Sequence, residues 1–74
     1  MSLIQRQDGI VRVLENLYRR KWQNPGRRSR AVRKVAEFNT KRMVFAGYTP
    51  DEAKASFRQC VDMAVLNLNA EVPA

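Results

Sequence analysis

The amino-acid sequence contains no histidine and only one cysteine among its 74 residues. A single cysteine excludes an internal disulfide, and without histidine the usual zinc ligand sets are missing. We therefore expect neither a disulfide nor a metal to hold the fold, and a reducing, intracellular setting. A chain of this length forms one domain at most, over residues 1–74, with a core small enough to gain from self-association.

The sequence also lacks an apolar run long enough to span a bilayer, and its N-terminus, MSLIQRQDG, lacks the hydrophobic centre of a signal peptide. These absences predict a soluble, cytoplasmic protein with no membrane partner. There is no glycine-rich phosphate loop, and Cys60 lies on an apolar helical stripe where a free thiol acts as a small hydrophobe. We expect neither enzymatic activity nor a cofactor.

Two short segments interrupt an otherwise helical pattern. The first is QNPG, residues 23–26, where the proline ends a first helix by Gln23 because it disfavours helical backbone in the residue before it. The second is AGYTPDEA, residues 46–53. Here Gly47 suits the position just past a helix end, and Thr49 and Glu52 form a capping box that starts the next helix with a proline at its first position. These two interruptions divide the chain into three predicted helices.

Apolar residues recur at helical spacing in all three segments, and no segment alternates like a half-buried strand. The sequence therefore predicts an all-α fold, a small three-helix domain with helices at roughly 3–22, 25–46 and 50–70. The predicted apolar faces consist of Ile10, Val13, Leu14, Leu17 and Tyr18 in the first helix, of Ala31, Val32, Val35, Ala36, Phe38, Met43, Phe45 and Ala46 in the second, and of Ala53, Phe57, Cys60, Val61, Ala64 and Leu68 in the third.

Three residues depart from this pattern. Asn39 falls on the apolar face of the second helix, where an unpaired amide is costly. A hydrogen bond to a neighbouring backbone group is the favoured interpretation, and a polar pair across a homodimer axis is the alternative. Val44 and Leu66 are apolar residues on faces that are expected to be exposed to solvent. A homodimer, or a partner that buries one of them, is therefore a second expectation.

Positive charge is confined to the middle of the chain. Residues 19–42 hold ten basic side chains and one acidic one, Glu37, whereas residues 1–18 are neutral and residues 43–74 carry a net charge of −2. The whole chain carries +7. Arg19, Arg20 and Lys21 close the first helix, where cations complement the negative end of the helix dipole. That part of the charge needs no functional explanation.

The start of the second helix carries charge of the wrong sign for helix stability. Asn24 or Ser29 caps this helix, and on both interpretations arginines crowd its N-terminus, where positive charge opposes the dipole. The third helix has Asp51 and Glu52 at the equivalent place. Free backbone N–H groups and guanidinium forks together predict an anion site here.

The sequence thus predicts a non-enzymatic module that binds nucleic-acid phosphates. The expected contact residues are Arg27, Arg28, Arg30, Arg33 and Lys34 at the centre, with Arg19, Arg20, Lys21, Lys41 and Arg42 flanking and Trp22 available to stack on a base. For Trp22 itself, a position covering the core at the helix end is the favoured interpretation. The alternative function is an adaptor or inhibitor that docks the same basic surface onto an acidic protein, where it would block that protein's own nucleic-acid or substrate site.

A DNA-reading helix-turn-helix around Gly47 is rejected. Its recognition helix would present Pro50, Asp51 and Glu52 to the major groove, which places two carboxylates against phosphates. Three-helix arrangements of this kind are common in small accessory proteins, and no residue is carried over from any family.

Overall fold

Three α-helices follow one another along the chain: α1 (Leu3–Arg19), α2 (Pro25–Phe45) and α3 (Pro50–Glu71). The structure is a computed structural model, and it describes the backbone of residues 3–71 and the side chains of residues 7–71. The predicted all-α class is confirmed, with no strand in residues 3–71. None of the three helices, over the described residues, combines the length and the apolarity that a bilayer crossing needs.

The ends of α2 and α3 follow from side-chain and backbone hydrogen bonds. The Gly47 and Tyr48 amides donate to the carbonyls of Val44 and Met43, both at 3.0 Å, which closes α2 in a Schellman motif. Gly47 adopts φ +104°, which a residue with a Cβ rarely adopts.

At the start of α3, the Glu52 amide donates to Thr49 Oγ1 at 3.1 Å and the Thr49 amide donates to Glu52 Oε1 at 3.0 Å. This is the predicted capping box. The hydrogen bond from the Thr49 backbone lowers the pKa of the Glu52 carboxyl below its ordinary value.

The first helix ends earlier than predicted, at Arg19 rather than near residue 22. The indole Nε1 of Trp22 donates to the carbonyl of Leu17 at 2.8 Å. That carbonyl lies in the last turn, where a helix has no intrahelical donor for it. Trp22 therefore folds back over the helix end instead of continuing the helix.

Helices α1 and α3 run parallel, and α2 runs antiparallel to both. Near one end Gln7 of α1 bonds to Ser56 of α3, further along Asn67 donates to Glu15 at 3.1 Å, and at the other end Arg19 pairs with Glu71. The C-termini of α1 and α3 and the N-terminus of α2 therefore lie at the same end of the bundle. The basic turn before α2 belongs to this end.

The core lies between α1 and α3. Ile10 and Leu14 of α1 pack with Cys60 and Ala64 of α3, and Leu14 and Ala64 are fully buried. Partly buried side chains surround this cluster, namely Val11, Tyr18, Val32, Val35, Phe57 and Val61. The stripe predicted for α3 is thus the core face of that helix.

The apolar face predicted for α2 is too broad. Only Asn39 and Met43 of this helix are buried, whereas Phe38 is 60% and Phe45 95% exposed. At 100° per residue, both phenylalanines lie about 100° or more from Asn39 and Met43, outside the arc that touches α1 and α3. Val13 of α1, also predicted to be in the core, is 44% exposed.

The favoured interpretation of Asn39, a hydrogen bond to a neighbouring backbone group, is confirmed. Its side chain is fully buried and its Nδ2 donates to the carbonyl of Ala53 at 3.4 Å, with the sulfur of Met43 at 3.5 Å. Its Oδ1 has no hydrogen-bond partner among the described residues. The amide therefore ties α2 to the start of α3 inside one chain and is not available for a pair across a dimer axis.

The core assignment predicts a large difference between two leucines. Leu14→Ala removes a fully buried side chain and should cost about 2–5 kcal/mol of unfolding free energy, which is much of what a domain this small has. Leu66→Ala makes the same chemical change at a 62% exposed position and should alter stability by less than about 0.5 kcal/mol. Urea denaturation followed by circular dichroism measures both. Equal midpoints for the two variants would contradict the core described here.

Candidate functional site

The candidate site is the basic segment, residues 19–42, which comprises the end of α1, the turn and most of α2. Its predicted contact residues divide into two groups in the structure. Arg19 and Arg42 have internal partners. The other eight basic side chains are exposed and form no hydrogen bond or ion pair with any side chain in residues 7–71, namely Arg20, Lys21, Arg27, Arg28, Arg30, Arg33, Lys34 and Lys41.

Arg19 holds two helix ends together. Its guanidinium donates to Glu71 and lies 4.0 Å from Glu15, and the hydrogen bond to Glu71 raises the pKa of Arg19. Glu71 is an anion at a helix C-terminus, where the dipole disfavours it, and the cation of Arg19 offsets that effect. This side chain therefore has a structural partner within the domain.

Arg42 also has an internal position. It is half-buried, its guanidinium donates to Gln7 Oε1 at 2.7 Å, and Gln7 in turn bonds to Ser56. The buried Nε of Arg42 has no hydrogen-bond partner among the described residues. The guanidinium also lies 5.8 Å from the centre of the Phe38 ring. Arg42 therefore connects all three helices and supports one exposed aromatic ring.

In the turn between α1 and α2, several cations lie around one aromatic side chain. Arg20 lies over the Trp22 ring, 4.8 Å from its centre, and Arg20, Lys21, Trp22 and Arg27 line one shallow groove. Trp22 is half-buried at the helix end and its indole N–H is already bonded to Leu17, but it is not among the side chains that pack against the core cluster. One face of the ring is covered by Arg20.

The start of α2 differs from the prediction in one respect. Asn24 is the N-cap, its Oδ1 accepts from the Gly26 amide at 2.9 Å, and its carbonyl accepts from the Arg27 amide at 3.0 Å. Pro25 has no N–H. The expectation of free backbone donors at this helix start is therefore wrong, because Asn24 uses the first two. Any anion bound here would be held by side chains.

With Asn24 as the cap, the arginines lie at different distances from the helix start. Arg27 and Arg28 fall in the first turn, whereas Arg30 and Arg33 lie one and two turns further on. The helix dipole acts mainly within the first turn. Only Arg27 and Arg28 therefore oppose it strongly, and α2 has no acidic residue in that turn.

A stripe of alternating basic and aromatic residues runs along the outer side of α2, and sequence reasoning missed it. We call Arg27, Lys34, Phe38, Lys41 and Phe45 the outer stripe. At 100° per residue they fall within about 60° of one another, and all five are exposed. The signal that could have revealed the stripe is the angular distance between the phenylalanines and Met43. The prediction did not use this distance, because it placed all of these apolar residues on one broad face.

The opposite electrostatic character is found in a groove between α1 and α3. It contains Asp8, Glu15 and Glu52 with Arg12 as the one cation, and its apolar lining includes Met43 and Met63. The thiol of Cys60 also borders this groove, but it is 3% exposed and burial raises its pKa. A buried, protonated thiol is a poor nucleophile, which agrees with a packing role. Within residues 7–71 no cluster of three or more His, Cys, Asp or Glu side chains forms a metal site.

Comparisons of this chain with protein-family models, with curated proteins and with solved structures give no match. The site is therefore interpreted from its own geometry and charge.

The arginines at the start of α2 predict a gain in stability when they are neutralised. Arg27→Gln with Arg28→Gln should stabilise the domain by about 0.3–1 kcal/mol per residue at low salt, because glutamine has a similar helix propensity and removes charge opposed to the dipole. Thermal denaturation at low salt measures the change. The matched control is Arg12→Gln with Arg58→Gln, which removes the same charge from exposed positions in the middle of α1 and α3. A smaller gain in the control is expected, and an equal gain would mean that overall charge repulsion, rather than the dipole, is responsible.

Proposed function

We propose that the protein is a non-enzymatic binding module whose basic segment contacts the phosphates of a nucleic acid. The observation that carries the proposal is the state of the eight basic side chains that form no hydrogen bond or ion pair with another side chain in residues 7–71. They are exposed, they repel one another, and two of them oppose the dipole of the helix that bears them. A polyanion removes both the repulsion and the opposition to the dipole at once.

The separation of charge within the molecule supports the same proposal. The basic turn and α2 carry the cations, while the groove between α1 and α3 carries three of the acidic side chains. Such a distribution orients a protein toward a polyanion and raises the rate of encounter. Arginine predominates over lysine among the exposed cations, and its guanidinium binds a phosphate through two parallel hydrogen bonds.

An adaptor or inhibitor that docks the same surface onto an acidic protein is the second candidate. The exposure of Phe38 and Phe45 next to basic residues favours it, since protein interfaces are enriched in aromatic side chains and arginine. Pull-downs from nuclease-treated and untreated lysate separate the two candidates. Recovery of one protein at equal yield after nuclease, with no nucleic acid in the untreated sample, would replace the proposal by this second one.

Self-association is a further proposal that concerns a different surface. Val44 is 43% and Leu66 62% exposed, and a core this small gains from additional apolar burial. We propose a homodimer that buries one of these side chains. Light scattering at high protein concentration should then give twice the monomer mass, and a monomer mass throughout would exclude the dimer.

Salt dependence tests the phosphate contacts. Each phosphate that a cation neutralises releases condensed counterion, so affinity for an oligonucleotide should fall steeply with salt. Arg27→Gln with Arg28→Gln should make the slope of log K against log salt shallower by about 1.4–1.8, which corresponds to two lost contacts. Fluorescence anisotropy with a labelled oligonucleotide at several salt concentrations provides the measurement.

The Arg12→Gln and Arg58→Gln control removes the same charge outside the basic segment and should leave the slope close to that of the parent protein. A control that lowers the slope equally would show that binding depends on net charge and not on this surface. No measurable binding of the parent protein to any oligonucleotide at low salt would refute the proposed function.

A further inference from the structure

The outer stripe of α2 presents two aromatic rings that the fold does not need. Phe45 is 95% and Phe38 60% exposed, and neither belongs to the core cluster or packs against it. Single exposed apolar residues are common on proteins. Here two large aromatic rings lie on one face of one helix, and the lysines beside them form no ion pair within residues 7–71. This arrangement is typical of a ligand-binding surface rather than of chance exposure.

The cations of the stripe indicate that this ligand is anionic. Along one face of α2 the order is Arg27, Lys34, Phe38, Lys41, Phe45, so that a lysine precedes each ring. An apolar protein surface would match the rings but leave the two lysines and the arginine unpaired. A ligand that carries negative charge and flat apolar faces in alternation matches both.

We infer that α2 binds single-stranded nucleic acid, with bases stacked on Phe38 and Phe45 and phosphates on the neighbouring cations. This inference rests on the proposed function and narrows it to one form of nucleic acid. A phenyl ring has no hydrogen-bonding group with which to read a base edge, but every base has a face on which it stacks. In a duplex those faces are buried against neighbouring base pairs, whereas in a single strand they are free.

The spacing of the rings agrees with two separate nucleotides. Seven residues of helix separate Phe38 from Phe45, which is about 10 Å along the axis at 1.5 Å per residue. This is about three times the 3.4 Å distance between stacked bases. One base cannot reach both rings, so each ring serves a different nucleotide, and Lys41 lies between them on the same face.

Phe38 has a support that Phe45 lacks. The Arg42 guanidinium lies 5.8 Å from its ring centre and is itself held by Gln7 on α1. A cation near one side of a ring restricts its movement and leaves the other side for a base. Arg42 therefore acts here as a positioning residue, while Lys34 and Lys41 remain free for phosphate.

The test uses three probes of equal length: an oligothymidylate, an abasic strand with the same number of phosphates, and a duplex. The parent protein should bind oligothymidylate at least about 25-fold more tightly than the abasic strand, since stacking contributes about 5-fold or more per base. The Phe38→Ala with Phe45→Ala variant should bind both strands equally, at the parent's affinity for the abasic strand. Anisotropy titrations at one fixed salt concentration give all of these values.

Two further variants keep the test decisive. Phe45→Ala alone changes a side chain that is almost fully exposed, so its effect cannot come from unfolding, and it should lose about 5-fold or more on oligothymidylate only. Met63→Ala with Val65→Ala removes exposed apolar side chains from α3 and should leave all three affinities unchanged.

The outcomes distinguish a failure of the single-strand inference from a failure of the proposed phosphate binding. Equal, salt-dependent binding of the parent protein to oligothymidylate, abasic strand and duplex overturns the stacking inference and leaves phosphate binding intact. A preference for the duplex also overturns it. Binding to none of the probes overturns both, and the outer stripe would then be a docking surface for an acidic protein.

Discussion

The close packing of α1 on α3 determines what the remaining helix presents to solvent. Ile10 and Leu14 pack with residues of α3 that are small, namely Cys60 and Ala64, so the two helices can bury these side chains with little help. Helix α2 covers the pair mainly through Val32, Val35, Asn39 and Met43. Because α2 packs through one side only, the other side of its circumference is a free, exposed arc. The basic and aromatic residues occupy that free arc.

The parallel arrangement of α1 and α3 adds an electrostatic constraint. Two helix C-termini, each with a partial negative charge, lie at the end of the bundle where α2 begins. The cation of Arg19, which pairs with Glu71, compensates part of this negative charge. The compensation does not extend along α2. Lys34 and Lys41 lie two or more turns from the end, and Glu37 is the one acidic residue of α2 near them, so the outer stripe keeps a net positive charge.

Much of the fold was predictable because its boundaries depend on local chemistry. The capping box of Thr49 and Glu52 and the left-handed position of Gly47 involve residues adjacent in sequence, and both are found as predicted. The end of α1 was not predictable in the same way. It depends on the indole of Trp22 folding back to the Leu17 carbonyl, a contact that helical periodicity does not indicate.

The candidate site was predictable in composition and not in arrangement. Counting charges located the basic segment, but only the packing shows that Arg19 and Arg42 have internal partners and that Asn24 uses the first backbone donors of α2. The misplacement of Phe38 and Phe45 has one cause. The predicted face covered about half of the helix, whereas the buried residues of α2 are Asn39 and Met43, and both rings lie outside their arc.

The arrangement of α2 separates two kinds of contact on one helix. Phosphate contacts at the turn and the start of α2 fix where a strand lies but are indifferent to whether it is single or double. The rings of Phe38 and Phe45, in the second half of the helix, are exposed and are the groups that we propose to stack on unpaired bases. Arg27 and Phe45 are about 27 Å apart along the axis at 1.5 Å per residue. In the proposed binding mode, a strand that follows the outer stripe would meet charge alone first and rings later. The first half of α2 would then supply the attraction and the second half the preference for exposed bases.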